Sequence, residues 1–381
     1  MLLRFGARNF FSFKEGVDIS LELSAGCPLD ISQGKTVTNL LCVKGANGSG
    51  KTNILKILSF LQYFCCTSFK ELKPEDKIMV DPFFYSDDPV YFFCEFISGE
   101  IKYLYEVSLN QNEILTERVT RKIKQPSVLF ERVGNKLKKR IKEFSGLDSV
   151  KLRKNASLIS SAYHYDTDCI RPIYNFFDSI HSNVAWHGRI DHSRDFKKSS
   201  ELYFKHPEIF EKAKEFIIKS DLGVSDIIIK EATDEKGELF YFPVFKHDVK
   251  DAKNNLLAYH SQSLGTKTIY NTIWFYIIAL LDGGILVADE FDIDFHPDLL
   301  PKFISYFDND KYNKNNAQMI FSTHNAKILD YTKKYRSVLV NKDASESYAY
   351  RLDEIPGDII RNGRSLVSIY NSGKIGGVPR I

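Results

Sequence analysis

The chain has little cysteine for its length. Its 381 residues hold six cysteines. None forms a C-x-x-C pair, and Cys65 and Cys66 are adjacent, which suits neither a zinc knuckle nor a redox motif. They read as buried or idle thiols of a reducing compartment. Long apolar runs are missing too. A bilayer span needs ~18–20 residues, and IWFYIIALL at 273–281 is far too short. The opening MLLRFGARNFFSF lacks an apolar core ending in a small-residue cleavage site, so no secretory leader is expected. No sustained heptads appear, which excludes a long coiled-coil arm. No repeat of 20–50 residues appears either, which argues against a solenoid. Charge of one sign is not in large excess: the net value is +3, too small for strong overall attraction to nucleic acid or membrane. These absences leave a cytoplasmic globular protein as the expectation.

What is present is a chain long enough for one large domain or two modest ones. Hydrophobic residues are 43% and charged residues 27%, the balance of a folded chain. The charge is uneven. Residues 118–142 hold ten Lys or Arg against one Glu, a local +9. Against +3 for the whole, the remainder carries about −6.

Three textures follow one another. Residues 1–140 begin with an antiparallel segment and reach a buried strand, NLLCV (39–43). A helix follows over Asn53–Phe64, with Ile54, Leu55, Ile57, Leu58 and Leu61 at helical spacing. The strands YFFCEFI, IKYLYEVSL and ILTERVTRKI come next, separated by hairpin turns SGE and NQNE. Residues 141–255 are richer in Lys, Glu, Ser and His. They read as a mainly helical insertion, with HPEIFEKAKEFIIKS (206–220) as an example and GELFYFPVFKH (237–247) as a strand. Residues 256–381 alternate again: a helix over about 265–281, strand GILVAD, helix HPDLLPKFISYF, strand AQMIFST, a short helix after His324, and strand SVLVN. Such alternation implies α/β architecture, with a parallel sheet and right-handed crossovers.

Residues 45–52 read GANGSGKT, which fits G-x-x-x-x-G-K-[ST] between an apolar strand and an amphipathic helix. Glycines let successive N–H groups turn inward around phosphates, and the helix presents its N-terminus to them. The candidate nucleotide-binding residues are Gly45, Asn47, Gly48, Ser49, Gly50, Lys51, Thr52 and Asn53. Lys51 is expected at the β- and γ-phosphates and Thr52 on Mg²⁺.

Residues 286–297 read LVADEFDIDFHP. An apolar strand running into four acids is costly, because an unpaired carboxylate out of water costs several kcal/mol, to order of magnitude. A magnesium nucleotide on the loop 240 residues earlier resolves half of this. Asp289 is expected to hold the metal through water, and Glu290 to act as general base on the attacking water. A third apolar strand, AQMIFSTHN (317–325), ends at His324, which can bond the γ-phosphate or that water. The expected catalytic set is Lys51, Glu290 and His324; the expected cofactors are ATP and Mg²⁺.

With GANGSGKT, VADEFD and STHN in this order, the chain resembles the ABC-type ATPases, closer to the SMC-like and RecF-like branch than to transporter subunits. NFFSF (9–13) is similar to that branch's N-terminal NF-x-SF segment. The resemblance implies a P-loop ATPase head: an antiparallel β lobe, a mixed or parallel core sheet and a helical lid insertion. It makes SQSLGTKT (261–268) the signature, although the double glycine of transporters is missing. Ser263 and Gly265 then bind the γ-phosphate held by a second protomer, which implies a homodimer or higher oligomer. Asp294, Phe295 and His296 fall in the loop that crosses such an interface and, with Asp292, are expected to face the partner. Neither Gln62 nor Gln125 fits the glutamine loop. The tail YNSGKIGGVPRI (370–381) resembles a prokaryotic phage-defence subgroup (PARIS, Septu-like and OLD-like ATPases), in which the ATPase works with a separate effector, often a nuclease. The expected function is therefore a nucleotide-driven switch controlling an effector. The alternative is a DNA-repair ATPase that binds DNA directly through the basic run 118–142. His164, His181, His187 and His192, with Asp166, Asp168 and Asp191, match no metal-ligand spacing and read as polar loops and helix ends.

Overall fold

The structure, a computed structural model, describes the whole chain except residues 191–194, 221–222, 250–253, 294, 357–358, 362 and 379–381. From the N-terminus, β1 (Leu2–Arg8) and β2 (Val17–Ser20) pair antiparallel. A single turn, α1 (Leu29–Ser32), leads to β3 (Leu40–Gly45), which is buried throughout. Next come α2 (Lys51–Cys66) and the short α3 (Ser68–Glu71). Five strands follow: β4 (Val90–Ser98), β5 (Ile101–Leu109), β6 (Ile114–Lys122), β7 (Pro126–Val133) and β8 (Lys136–Arg140). They join β1 and β2 in an antiparallel sheet of order β2-β1-β4-β5-β6-β7-β8. Strict alternation makes this sheet one-sided: Val90, Phe92, Cys94 and Phe96 are buried, and so are Tyr103, Tyr105, Val107 and Leu109.

The middle of the chain holds α4 (Leu158–His164), α5 (Arg171–Asp178), β9 (Ile180–Ser182), β10 (Val184–Ala185) and β11 (Gly188–Arg189). Then come α6 (Phe196–Lys205), α7 (Pro207–Lys219), and a three-stranded antiparallel sheet of β12 (Val224–Thr233), β13 (Leu239–His247) and β14 (Leu256–Ala258). Two of these strands escape the sequence pattern. β12 carries Lys230 and Glu231 on a half-exposed surface, so it has the polar texture of its helical neighbours. It becomes a strand through its nine-pair register with β13. β9 has only three residues, too few for a period to show, and is fixed by parallel pairing with β15.

The last third contains α8 (Leu264–Asp282), β15 (Ile285–Ala288), α9 (Leu300–Asp308), β16 (Gln318–Ser322), α10 (Ile328–Thr332), β17 (Ser337–Asp343), β18 (Glu346–Arg351) and α11 (Leu366–Asn371). Ser263 caps α8 by accepting the Thr266 N–H at 3.1 Å. Gly283 ends it in the left-handed region, at φ +66°.

The core sheet runs β18-β17-β3-β16-β15-β9, parallel from β17 to β9. Its central strands β3, β15 and β16 are buried on both faces, which is why they read as continuous apolar runs. Leu41, Val43, Ile285, Val287 and Ile320 face α2 and the antiparallel sheet. Leu40, Cys42, Leu286, Ala288, Met319 and Phe321 face α8 and α9. The α2 side chains Ile54, Leu55, Ile57, Leu58, Leu61 and Phe64 are all buried. Each contributes about 1.5–3 kcal/mol as an upper bound, which anchors the helix whose first turn carries Lys51. The molecule is of α/β class, with one antiparallel lobe, a mixed core sheet and accessory helices.

Candidate nucleotide site

Because β3, β16, β15 and β9 run parallel, their C-terminal ends share one edge of the sheet, where open α/β sheets bind ligands. The loop 45–50, Thr323–His324, Asp289–Glu290 and Asn183 all emerge there. A cleft of about 320 Å³ opens at this edge, lined by Asn47, Gly48, Gly50, Lys51, Thr52, Asn53, Glu290 and His324. Chain segments some 240 and 270 residues apart thus meet around one space. Gly45 and Ser49 belong to the loop but do not line the cleft.

The loop is held from outside by the NFFSF segment. Asn53 Nδ2 donates to Ser12 Oγ at 2.9 Å. Ser347 Oγ donates to the Ser49 carbonyl at 2.6 Å and lies 2.8 Å from Ser12 Oγ. This shell explains Gly50, whose φ is +112° and where an added Cβ would lie 2.7 Å from Ser347 Oγ. Lys51 Nζ donates to the carbonyls of Gly45 (3.1 Å) and Ala46 (3.0 Å). Burial pulls this ammonium below the ordinary lysine value, opposed by Asp289, Glu290 and Asp292.

Asp289 is 2% exposed, and its carboxylate is satisfied by hydroxyls. Thr52 Oγ1 donates to Oδ2 at 2.7 Å, and Ser322 Oγ donates to Oδ1. Asn183 brackets its backbone: the Asp289 N–H donates to Asn183 Oδ1 (2.7 Å), and Asn183 Nδ2 donates to the Asp289 carbonyl (3.1 Å). Thr52, Asp289 and Ser322 form a hard-oxygen donor set of the kind Mg²⁺ takes, so the residues present fit that ion. Glu290 sits at φ +48°, uncommon for a non-glycine residue. Its N–H is fixed on Ser322 Oγ at 2.8 Å. Its Oε1 lies 3.6 Å from His324 Nε2, both side chains being a little over one-third exposed.

Ser263 and Gly265 are not among the residues lining the cleft. They open α8 beside Leu264, which is 81% exposed. Asp292 is already paired within the chain: its carboxylate accepts the His324 backbone N–H at 3.0 and 3.1 Å. The physical reason is local: the short turn Phe291–Ile293 after β15 passes the end of β16, where that N–H is otherwise unpaired. Asp294 lies outside the described residues, and Phe295, rather than facing outward, is 4% exposed and packs on Phe303 because an apolar ring after β15 gains more from the core beside α9 than from the surface. His296 is exposed, 3.7 Å from Asp298.

Gln62 borders a separate cavity on the far part of α2, and Gln125 is exposed in the turn between β6 and β7. His164 packs on Phe69, His181 lies 3.6 Å from Asp282, and Asp168 pairs with Arg171 at 2.8 Å. No group among the described residues could hold a metal through three His, Cys, Asp or Glu; Asp191 and His192 lie outside them. The residues that sequence reasoning missed are Asn183 and Ser322. Ser322 carried one signal, a polar residue ending a short apolar strand; Asn183, after Ile-His-Ser, carried none.

Three comparisons bear on this geometry. No curated protein matches the chain. Solved structures that resemble it include the SMC head domain from Thermotoga maritima (14% identity, 92% of this chain and 98% of that one, TM-score 0.42). The Smc head domain with a coiled coil and joint from Pyrococcus yayanosii is another (9%, 92% and 96%, TM-score 0.44). A third is the Pyrococcus furiosus Smc head domain with an extended coiled coil bound to the C-terminal domain of ScpA (11%, 93% and 97%, TM-score 0.40). These are distant likenesses. A family model described as "AAA domain, putative AbiEii toxin, Type IV TA system" matches residues 40–330, from β3 into α10. The match takes in the phosphate loop, the β15 acids and His324, and this chain belongs to that family of nucleotide-binding ATPase domains.

Proposed function

We propose that the chain is an ATP hydrolase working as a nucleotide-driven switch between two or more copies of itself. The observation that carries this reading is the meeting of Lys51, Thr52, Glu290 and His324 in one cleft, with Asp289 directly behind Thr52. Lys51 and the N–H groups of loop 45–50 bind and orient the triphosphate. Thr52 and Asp289 would hold Mg²⁺, which when bound would neutralise charge on the phosphates. Glu290 takes the proton of the attacking water, and His324 bonds the γ-phosphate or that water.

The capped start of α8, with Leu264 outward, suits a surface that closes on the nucleotide of a second copy. ATP then acts as an adhesive between two heads, and hydrolysis releases them. The setting we propose is defence against phage, where the closed state acts on an effector such as a nuclease; the tail 370–381 supports it by its resemblance, while the family description names a putative toxin of a type IV toxin–antitoxin system. The direct DNA-binding reading is weakened by the antiparallel lobe. Three arginines of the basic run are spent within the chain, Arg121 on Glu143, Arg132 on Glu117 and Arg140 on Asp148. No helix among the described residues is long and apolar enough to cross a membrane.

Two experiments test this reading. Lys51→Ala should weaken MgATP binding about 10–100-fold, the value of one charge-assisted hydrogen bond, measured by calorimetry on folded protein. Wild-type affinity in that variant would remove Lys51 from the phosphate site. Gly265→Asp puts a negative charge at the start of α8. It should leave monomer affinity for MgATP unchanged while cutting turnover about 5–30-fold, since a helix N-terminus is worth up to ~2 kcal/mol to an anion. Unchanged turnover would argue against a composite site.

A further inference from the structure

Lys44, the residue before the phosphate loop, has no part in the chemistry above, yet it is a buried cation. Strand parity sends it away from the nucleotide helix. Leu41 and Val43 face α2, whereas Leu40, Cys42 and Lys44 share the opposite face. It is 3% exposed and forms no ion pair among the described residues. Its Nζ instead donates to the carbonyls of Thr323 (3.1 Å) and His324 (2.6 Å). The remaining side of the ammonium faces the Tyr370 ring, 5.3 Å from its centroid, within cation–π range.

A charge buried without a carboxylate is costly, and methionine would fill the same space without that cost. Position is what the charge supplies. The Thr323–His324 peptide has its negative pole, the Thr323 carbonyl, on Lys44 and its positive pole, the His324 N–H, on Asp292. Both ends of that peptide dipole are therefore held by opposite full charges, from the strand before the phosphate loop and from the turn after Glu290. The Tyr370 side is built by the C-terminal segment. Tyr370 donates its hydroxyl to the Gly377 carbonyl at 2.7 Å, and the Gly377 N–H donates to Asn341 on β17.

We propose that Lys44 is a positioning residue for the His324 switch. Together with Asp292 it clamps the two poles of the Thr323–His324 peptide, and the tail segment carrying Tyr370 seats its ammonium. This rests on reading His324 as a γ-phosphate contact, but the clamp can be tested without nucleotide. In hydrogen–deuterium exchange on the apo protein, Lys44→Met should speed exchange across residues 323–325 and leave the 45–56 segment at the wild-type rate. Asp292→Ala, which removes no buried apolar group, should speed the His324 N–H directly and serves if Lys44→Met does not fold. With nucleotide, Lys44→Met should lower kcat about tenfold with the MgATP Kd within about twofold. Placed on His324→Ala, it should cost nothing further, because the clamp acts only through that residue. Wild-type exchange over 323–325 in both single variants would overturn the clamp. Losses that multiply in the double variant would overturn its action through His324. If the wild-type protein does not hydrolyse ATP, the function reading fails, and the exchange result still decides the clamp.

Discussion

Glu290→Gln should slow ATP turnover about 10²–10⁴-fold, the range spanned by a positioned general base. The substitution keeps shape and the backbone bond to Ser322 Oγ, so the loss isolates the ability to accept a proton. Binding should not suffer, because Lys51 and the loop N–H groups are untouched. With hydrolysis blocked and binding intact, the nucleotide-closed state should accumulate. Sedimentation in MgATP should therefore show a stable dimer or larger species, where the wild type shows a transient one. Turnover at the wild-type rate would remove Glu290 from the role of base. Loss of binding together with turnover would mean that Glu290 holds nucleotide rather than water.

The second large effect lies in the antiparallel lobe. Glu117 and Arg132 are each 0% exposed and 3.5 Å apart. Around them the network is complete. Arg132 donates to the carbonyls of Gly134 (2.9 Å), Arg153 (2.9 Å) and Ala156 (3.0 Å). Glu117 accepts from Tyr105 (3.1 Å), Ser157 (2.6 Å) and the Leu158 N–H (2.9 Å). Burial pulls the guanidinium below its ordinary value, and Glu117 is the largest opposing influence. The pair ties β6 and β7 to the segment that enters α4. Glu117→Ala leaves a buried cation without its counter-charge and should cost about 3–5 kcal/mol of stability, the usual penalty for breaking such a pair. Urea unfolding would measure this. The paired change Glu117→Leu with Arg132→Met, which removes both charges, should recover much of the loss. Glu117→Ala at wild-type stability would show that water reaches the site and that the pair is not desolvated.

These two cases mark what neighbours in the chain encode and what they do not. The phosphate loop was legible because its requirements are local: a strand, glycines and a helix start within about ten residues. The strands β4–β6 were legible by their period of two, and α2 and α8 by their length and apolar spacing. The acids after β15 posed a cost visible in sequence, and hydroxyls of Thr52 and Ser322 meet it in space. By contrast, the run 118–142 reads as ten positive charges, and only the fold pairs three of them with Glu117, Glu143 and Asp148. Asp292 read as an outward residue, and only the parallel register of β15 and β16 brings it to the His324 N–H. Asn183 had no signal, because three-residue β9 gains its identity from the strand beside it.

By itself, then, the sequence determined most of the elements and the place of the glycine-rich loop, since backbone preference, periodicity and that turn depend on residues a few positions apart. The tertiary structure alone decided which charges are spent internally, which peptide Lys44 and Asp292 hold, and which residues share the cleft. Those contacts join positions up to some 280 residues apart, and their energy exists only once sheet register has placed the partners and burial has removed the water between them.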